Sequence, residues 1–112
     1  MTEIAAVLAR SPGTTMTLER IRLRDVGTGD VRVRIDVTGV CHSDLSLARG
    51  VLAQPMPAVL GHEACGTVME TGREVTGVAE GDRVILLWIT PCGQCLPCGP
   101  RPVLQSGFVI FR

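Results

Sequence analysis

Val84-Ile-Leu-Leu-Trp-Ile89 is an uninterrupted apolar run of six residues, a length that no run in this chain exceeds. A run that short suits a buried strand and falls far below the ~20 residues a membrane-spanning helix needs. Glycine and proline cut the rest into pieces of similar size. Ala5 to Leu8 is a brief apolar stretch ended by the turn cluster Ser11-Pro12-Gly13. Val31-Arg-Val-Arg-Ile-Asp36 alternates strictly, which predicts a strand with Val31, Val33 and Ile35 inside and Arg32, Arg34 and Asp36 on the solvated face. Gly27-Thr-Gly-Asp30 before it reads as a turn. Ser43 to Arg49 has room for two helical turns before Gly50, Pro55 and Pro57 stop it. Gly66 to Met69 and Val84 to Ile89 are the next strand candidates, separated by turns at Gly72, Gly77 and Gly81-Asp82. Gly107-Phe-Val-Ile-Phe111 is a last candidate with no evident partner. Short strands, little helix and frequent glycine predict a mainly β fold, a small barrel or folded sheet. No repeat, low-complexity tract or linker divides the chain, so residues 1–112 are expected to form one domain.

Composition removes several function classes. Eleven arginines and no lysine balance eleven acidic residues, a net charge of zero. Bulk electrostatics therefore gives no hold on nucleic acid or an acidic lipid surface. The start, Met-Thr-Glu-Ile-Ala-Ala, has no basic region and too short an apolar run for a secretory leader. The expected location is the cytoplasm. Five cysteines, an odd number, argue against a disulfide framework in that compartment.

Three clusters carry reactive side chains: Gly39-Val-Cys-His-Ser-Asp44, Gly61-His-Glu-Ala-Cys-Gly66 and Pro91-Cys-Gly-Gln-Cys-Leu-Pro-Cys98. Each alone has an ordinary explanation. An isolated cysteine is usually a small buried hydrophobe, and a histidine beside a glutamate is more often a local pair than a ligand set. Together they are more specific. A thiolate, an imidazole and a carboxylate are all zinc ligands, and three protein ligands with an open position describe a catalytic site. Cys92, Cys95 and Cys98, each two residues from the next, suit convergence on a single ion.

These motifs, with Pro57-Ala-Val-Leu-Gly-His-Glu63, Gly81-Asp-Arg-Val84 and the offsets of Gly66, Gly72 and Val75, resemble the zinc-dependent medium-chain alcohol dehydrogenases. The likeness is to the start of their catalytic domain and runs to about Cys98. It implies a GroES-like, partly open β-barrel with short helices, incomplete relative to the family. It implies that Cys41 and His62 ligate a catalytic zinc, with Glu63 an acidic neighbour able to exchange with water as a ligand. Ser43 matches the hydroxyl that takes the substrate proton, and Asp44 the carboxylate that orients the histidine ligand. His42 stands where relatives place a basic residue on the cofactor pyrophosphate. Trp88 stands at a wall of the substrate pocket, with ordinary core packing as its plainer explanation. Cys92, Cys95 and Cys98 match three ligands of a structural zinc, whereas Cys65 reads as a packed strand residue. The implied reaction oxidises a small alcohol to an aldehyde or ketone, with zinc lowering the alcohol's pKa and NAD or NADP taking the hydride.

The sequence also departs from that pattern. The fourth structural-zinc cysteine is expected eight residues after Cys98, where Ser106 stands. A serine hydroxyl is a poor ligand beside a thiolate. The histidine that ends the relay in many relatives is Ser46 here. The third protein ligand of the catalytic zinc lies beyond these residues, and no Gly-x-Gly-x-x-Gly dinucleotide motif occurs within them. The expectation is a fragment of a dehydrogenase, its tail altered by truncation or frameshift, inactive unless a separate dinucleotide-binding chain completes it. The competing expectations are a free-standing zinc-binding module without catalysis and a barrel that serves assembly alone.

Overall fold

A computed structural model of the chain describes residues 2–87 and 108–110. They fall into two compact units, 2–25 with Val40–Gly61, and Val26–Gly39 with 62–87 and 108–110.

The first unit holds β1 (Thr2–Ala9), β2 (Thr17–Leu23), helix α1 (His42–Arg49) and the two-residue strand β4 (Ala58–Val59). The sheet order is β2-β1-β4, antiparallel throughout, with Thr2 opposite Leu23, Leu8 opposite Thr17 and Leu8 also opposite Val59. The apolar run at Ala5–Leu8 thus extends into the central strand, whose Leu8 and Ala9 are buried. Strand β2 has no counterpart in the sequence reading. Its signal was present, since Ile21 and Leu23 are half-buried while Arg20 and Arg22 are exposed. The β1–β2 connection is held by Thr14, whose N–H and hydroxyl both donate to the Ser11 carbonyl, the hydroxyl at 2.7 Å. Beyond it Arg10 pairs with Glu19, which also accepts from the Thr17 hydroxyl at 2.6 Å. The Arg10 hydrogen bond, then that of Thr17, holds the Glu19 carboxyl below its ordinary pKa.

Helix α1 lies where the sequence placed it, one residue longer at its start. The carbonyls of Ser46, Leu47 and Ala48 in its last turn each accept a backbone N–H. Gly50 adopts φ 77°, ψ 13°, so its N–H reaches Leu47 O while the Val51 N–H reaches Ser46 O. This left-handed cap is the position that glycine occupies without strain. The Gly13 N–H donates to Ala48 O at 2.8 Å, tying the turn after β1 to the helix end.

The second unit is one antiparallel sheet of order β3-β5-β6-β7, formed by β3 (Val31–Thr38), β5 (Ala64–Thr71), β6 (Arg83–Leu86) and β7 (Phe108–Ile110). Val68, Val78 and Val84 are its buried core, with Val31, Val33 and Val75 packed against them. The alternation predicted for Val31–Asp36 holds for Val31 and Val33, half-buried, and for Arg34 and Asp36, exposed, but not for Arg32, which is half-buried, or for Ile35. Register shifts at Arg32/Val33 and Ile35/Val37 bend β3, and Ile35 emerges 46% exposed. Bulges re-aim the side chains beyond them, which no period-two count anticipates. Asp36 then accepts from the Thr67 hydroxyl at 3.0 Å and from Arg34 at 3.4 Å, and these bonds hold its carboxyl below the ordinary pKa. The segment near the end, which had no evident partner in sequence, pairs with β6: Val84 faces Ile110 and Leu86 faces Phe108. β6 carries β5 on one side and leaves its other edge to receive it.

The fold is mainly β with one short helix, α1, among the described residues. Neither sheet closes on itself there. None of their helices is long and apolar enough to cross a membrane.

Candidate metal centre

The thiol of the first cluster sits at the head of α1. Cys41 is the N-cap residue, with extended backbone at φ −101°, ψ 155°. Its N–H donates to Asp44 Oδ2 at 2.9 Å, a carboxylate three residues on that folds back over the first turn. The arrangement satisfies one of the donors a helix N-terminus leaves over, and it puts negative charge where the helix dipole favours it. Asp44 is buried and so fixed in place. The Ser43 hydroxyl donates to Cys41 Sγ at 3.2 Å. A thiol and a hydroxyl are therefore presented side by side, both half-buried. His42, between them in sequence, is exposed, and Ser46 donates to its carbonyl at 3.3 Å.

The second cluster runs directly into β5. His62 and Glu63 precede Ala64, the first residue of that strand. His62 Nε2 stands 3.7 Å from Glu63 Oε1, with the imidazole half-buried and the carboxylate about half exposed. The main chain here is clamped from β3. The Glu63 carbonyl accepts the Gly39 N–H at 2.7 Å and the Thr38 hydroxyl at 3.1 Å. Glu63 is held by two bonds to its backbone, and its carboxylate reaches toward the His62 imidazole.

Of the residues proposed from sequence, the structure thus brings together Cys41, Ser43 and Asp44 at one helix start, and His62 with Glu63 at one strand start. Cys65 sits within β5, half-buried and opposite Val37 and Ile85, as a packed strand residue does. Trp88, Cys92, Cys95, Cys98 and Ser106 lie outside the described residues. Thr38 and Gly39 are the additions. The motif containing Gly39 was legible, but nothing local in sequence links it to Glu63.

The alcohol dehydrogenase GroES-like domain family matches residues 27–106. An alcohol dehydrogenase of Rhizobium meliloti (strain 1021) is 43% identical over 102 residues, covering 88% of this chain and 29% of that protein. Among solved structures, an alcohol dehydrogenase zinc-binding domain protein from Burkholderia ambifaria superposes with TM-score 0.79 at 38% identity, over 87% of this chain and 26% of its own. A cobalt- and zinc-bound thermostable alcohol dehydrogenase from Pyrobaculum aerophilum gives 0.77 at 31% identity, over 96% and 35%. The chain therefore spans about a third or less of each of these relatives.

Proposed function

We propose, for a chain that belongs to the alcohol dehydrogenase GroES-like domain family, that it forms the zinc-holding part of an oxidoreductase acting on small alcohols. Cys41 and His62 would ligate the ion through sulfur and nitrogen, and Glu63 would stand by as an exchangeable carboxylate. The observation that carries this reading is the Gly39 N–H bond to the Glu63 carbonyl at 2.7 Å. Cys41 follows Gly39 by two residues, and two residues of extended chain span at most ~7 Å. A linkage that short supports the reading that the thiol shares an ion with the His62–Glu63 pair. The donor set fits zinc, which accepts thiolate, imidazole and carboxylate alike.

When bound, zinc supplies Lewis acidity that lowers the pKa of an alcohol. The remaining work falls to side chains of this chain. Ser43 can take the substrate proton at its hydroxyl and pass one onward, because a hydroxyl both accepts and donates. Asp44 fixes the first turn of α1 through the Cys41 N–H; by the family resemblance it would also be the carboxylate that orients the histidine ligand. His42, exposed, is available to a cofactor phosphate. Trp88 would wall the substrate pocket, and Cys92, Cys95 and Cys98 would hold a second, structural zinc. NAD or NADP would take the hydride, held by residues other than these, since no Gly-x-Gly-x-x-Gly lies within the 112.

Zinc stoichiometry of the purified chain tests the reading. One ion should be lost from Cys41→Ser and from His62→Ala while the fold, followed by circular dichroism, persists. Zinc that depends on Cys92, Cys95 and Cys98 alone would refute the catalytic site and leave a zinc-binding module.

A further inference from the structure

Gly39 carries no side chain, and the structure uses that vacancy. A Cβ built at Gly39 would stand 2.6 Å from Glu63 Oε2 and 3.3 Å from Glu63 Cβ. Real Cβ atoms do not tolerate the first of these distances, and the second is tighter than ordinary contact. The Glu63 carboxylate therefore lies over the Gly39 backbone, with its other oxygen 3.7 Å from His62 Nε2. From the opposite end, the Gly39 N–H and the Thr38 hydroxyl hold the Glu63 carbonyl. Gly39 is not confined by its own backbone dihedrals, since it is not among the glycines with positive φ. Its role is one of space.

We propose that Gly39 is a positioning residue for the metal site: by leaving its Cβ volume empty, it keeps the Glu63 carboxylate turned toward His62. The inference rests on the assignment of Cys41, His62 and Glu63 to one ion. An alanine there would push the carboxylate aside without touching either Cys41 or His62 chemically. Residues that hold a ligand in place rather than ligate typically change metal affinity 10- to 100-fold when replaced.

The test is a double-mutant cycle in the full chain with Cys92, Cys95 and Cys98 changed to serine, so that a single site remains. Cobalt(II) is titrated by its visible absorption and competed with a chelator. Gly39→Ala and Glu63→Ala should each weaken binding about 10-fold, and the double variant should be weakened about 10-fold again in total rather than about 100-fold. Losses that multiply would overturn the proposal, because Gly39 would then act through something other than Glu63. So would unchanged affinity in Gly39→Ala.

A second readout needs no metal. Gly39→Ala should lower the melting temperature of the metal-free chain, and adding Glu63→Ala should restore most of the loss by removing the crowded oxygens. If Gly39→Ala fails to fold, the double variant must fold; its failure also overturns the proposal. The parent reading fails separately, and visibly: the chain with Gly39 intact would bind cobalt no better than its Cys41→Ser variant.

Discussion

Val68→Ala is the substitution that probes most directly the sheet on which the His62–Glu63 pair is mounted. Val68 is 1% exposed at the centre of β5, packed with Val78 and Val84, and β5 begins immediately after Glu63. Removing two buried methyl carbons forfeits about 1.6 kcal/mol at ~0.8 kcal/mol per group. If the neighbours do not collapse, a cavity of roughly 50 Å³ at ~24 cal/mol per Å³ adds about 1.2 kcal/mol. The expected cost is therefore between about 1.6 and 3 kcal/mol. Val37→Ala in β3 is the control: it too is a strand valine, but 61% exposed, and a surface change of this kind stays within ~0.5 kcal/mol. Urea unfolding followed by far-ultraviolet circular dichroism gives both values, compared at equal m so that only stability differs. A gap of less than ~0.5 kcal/mol between the two variants would refute the placement of the core.

Three further outcomes are expected. Gly50→Ala should destabilise more than Gly13→Ala: both glycines have positive φ, at 77° and 74°, but an alanine Cβ at Gly50 meets Pro12 Cβ at 2.7 Å whereas none is met at Gly13. The strain alone is worth about 1–2 kcal/mol, so equal melting temperatures would show that the Pro12 contact is not made. Asp36 and Glu19 have depressed pKa values. Their contribution is present above the ordinary carboxylate range and is lost as pH falls through the folded-state values. Asp36→Asn and Glu19→Gln should therefore lower stability at neutral pH and converge on the parent in acid, flattening the acid limb of a stability–pH curve measured by urea unfolding; variants matching the parent at neutral pH would refute it. Ser106→Cys should tighten zinc held through Cys92, Cys95 and Cys98, because a fourth thiolate replaces a neutral hydroxyl; a chelator competition giving equal affinities would remove Ser106 as the fourth-ligand position.

Local pattern made much of the fold legible. Helix α1 was readable because its stop signal, Gly50, acts through its own backbone, and the turn at Gly27–Asp30 because Asp30 bonds back within the same four residues, its carboxylate taking the Gly27 N–H at 2.7 Å. Long-range consequences were not readable in the same way. Where β3 bulges depends on its pairing with β5, some thirty residues away, so Ile35 turned outward against the count. β7 found a partner in β6 because sheet edges are resolved only when all strands are placed.

The same division runs through the site. Reactive residue types announce themselves: a cysteine, a serine and an aspartate in four positions, or a histidine beside a glutamate, are visible to anyone who asks what binds metal. What holds them does not announce itself. Gly39 and Thr38 offer no side-chain chemistry that a metal-site search would register, and their partner Glu63 is more than twenty residues downstream. A hydrogen bond to a backbone carbonyl and an empty Cβ volume leave no trace in residue type beyond glycine itself. Glycine is ambiguous in sequence, since it serves turns, caps and close approaches alike. At Gly50 the positive φ explains it, whereas at Gly39 only the position of another residue's carboxylate does. Sequence therefore names the groups that do chemistry, and the geometry identifies those that must stay out of their way.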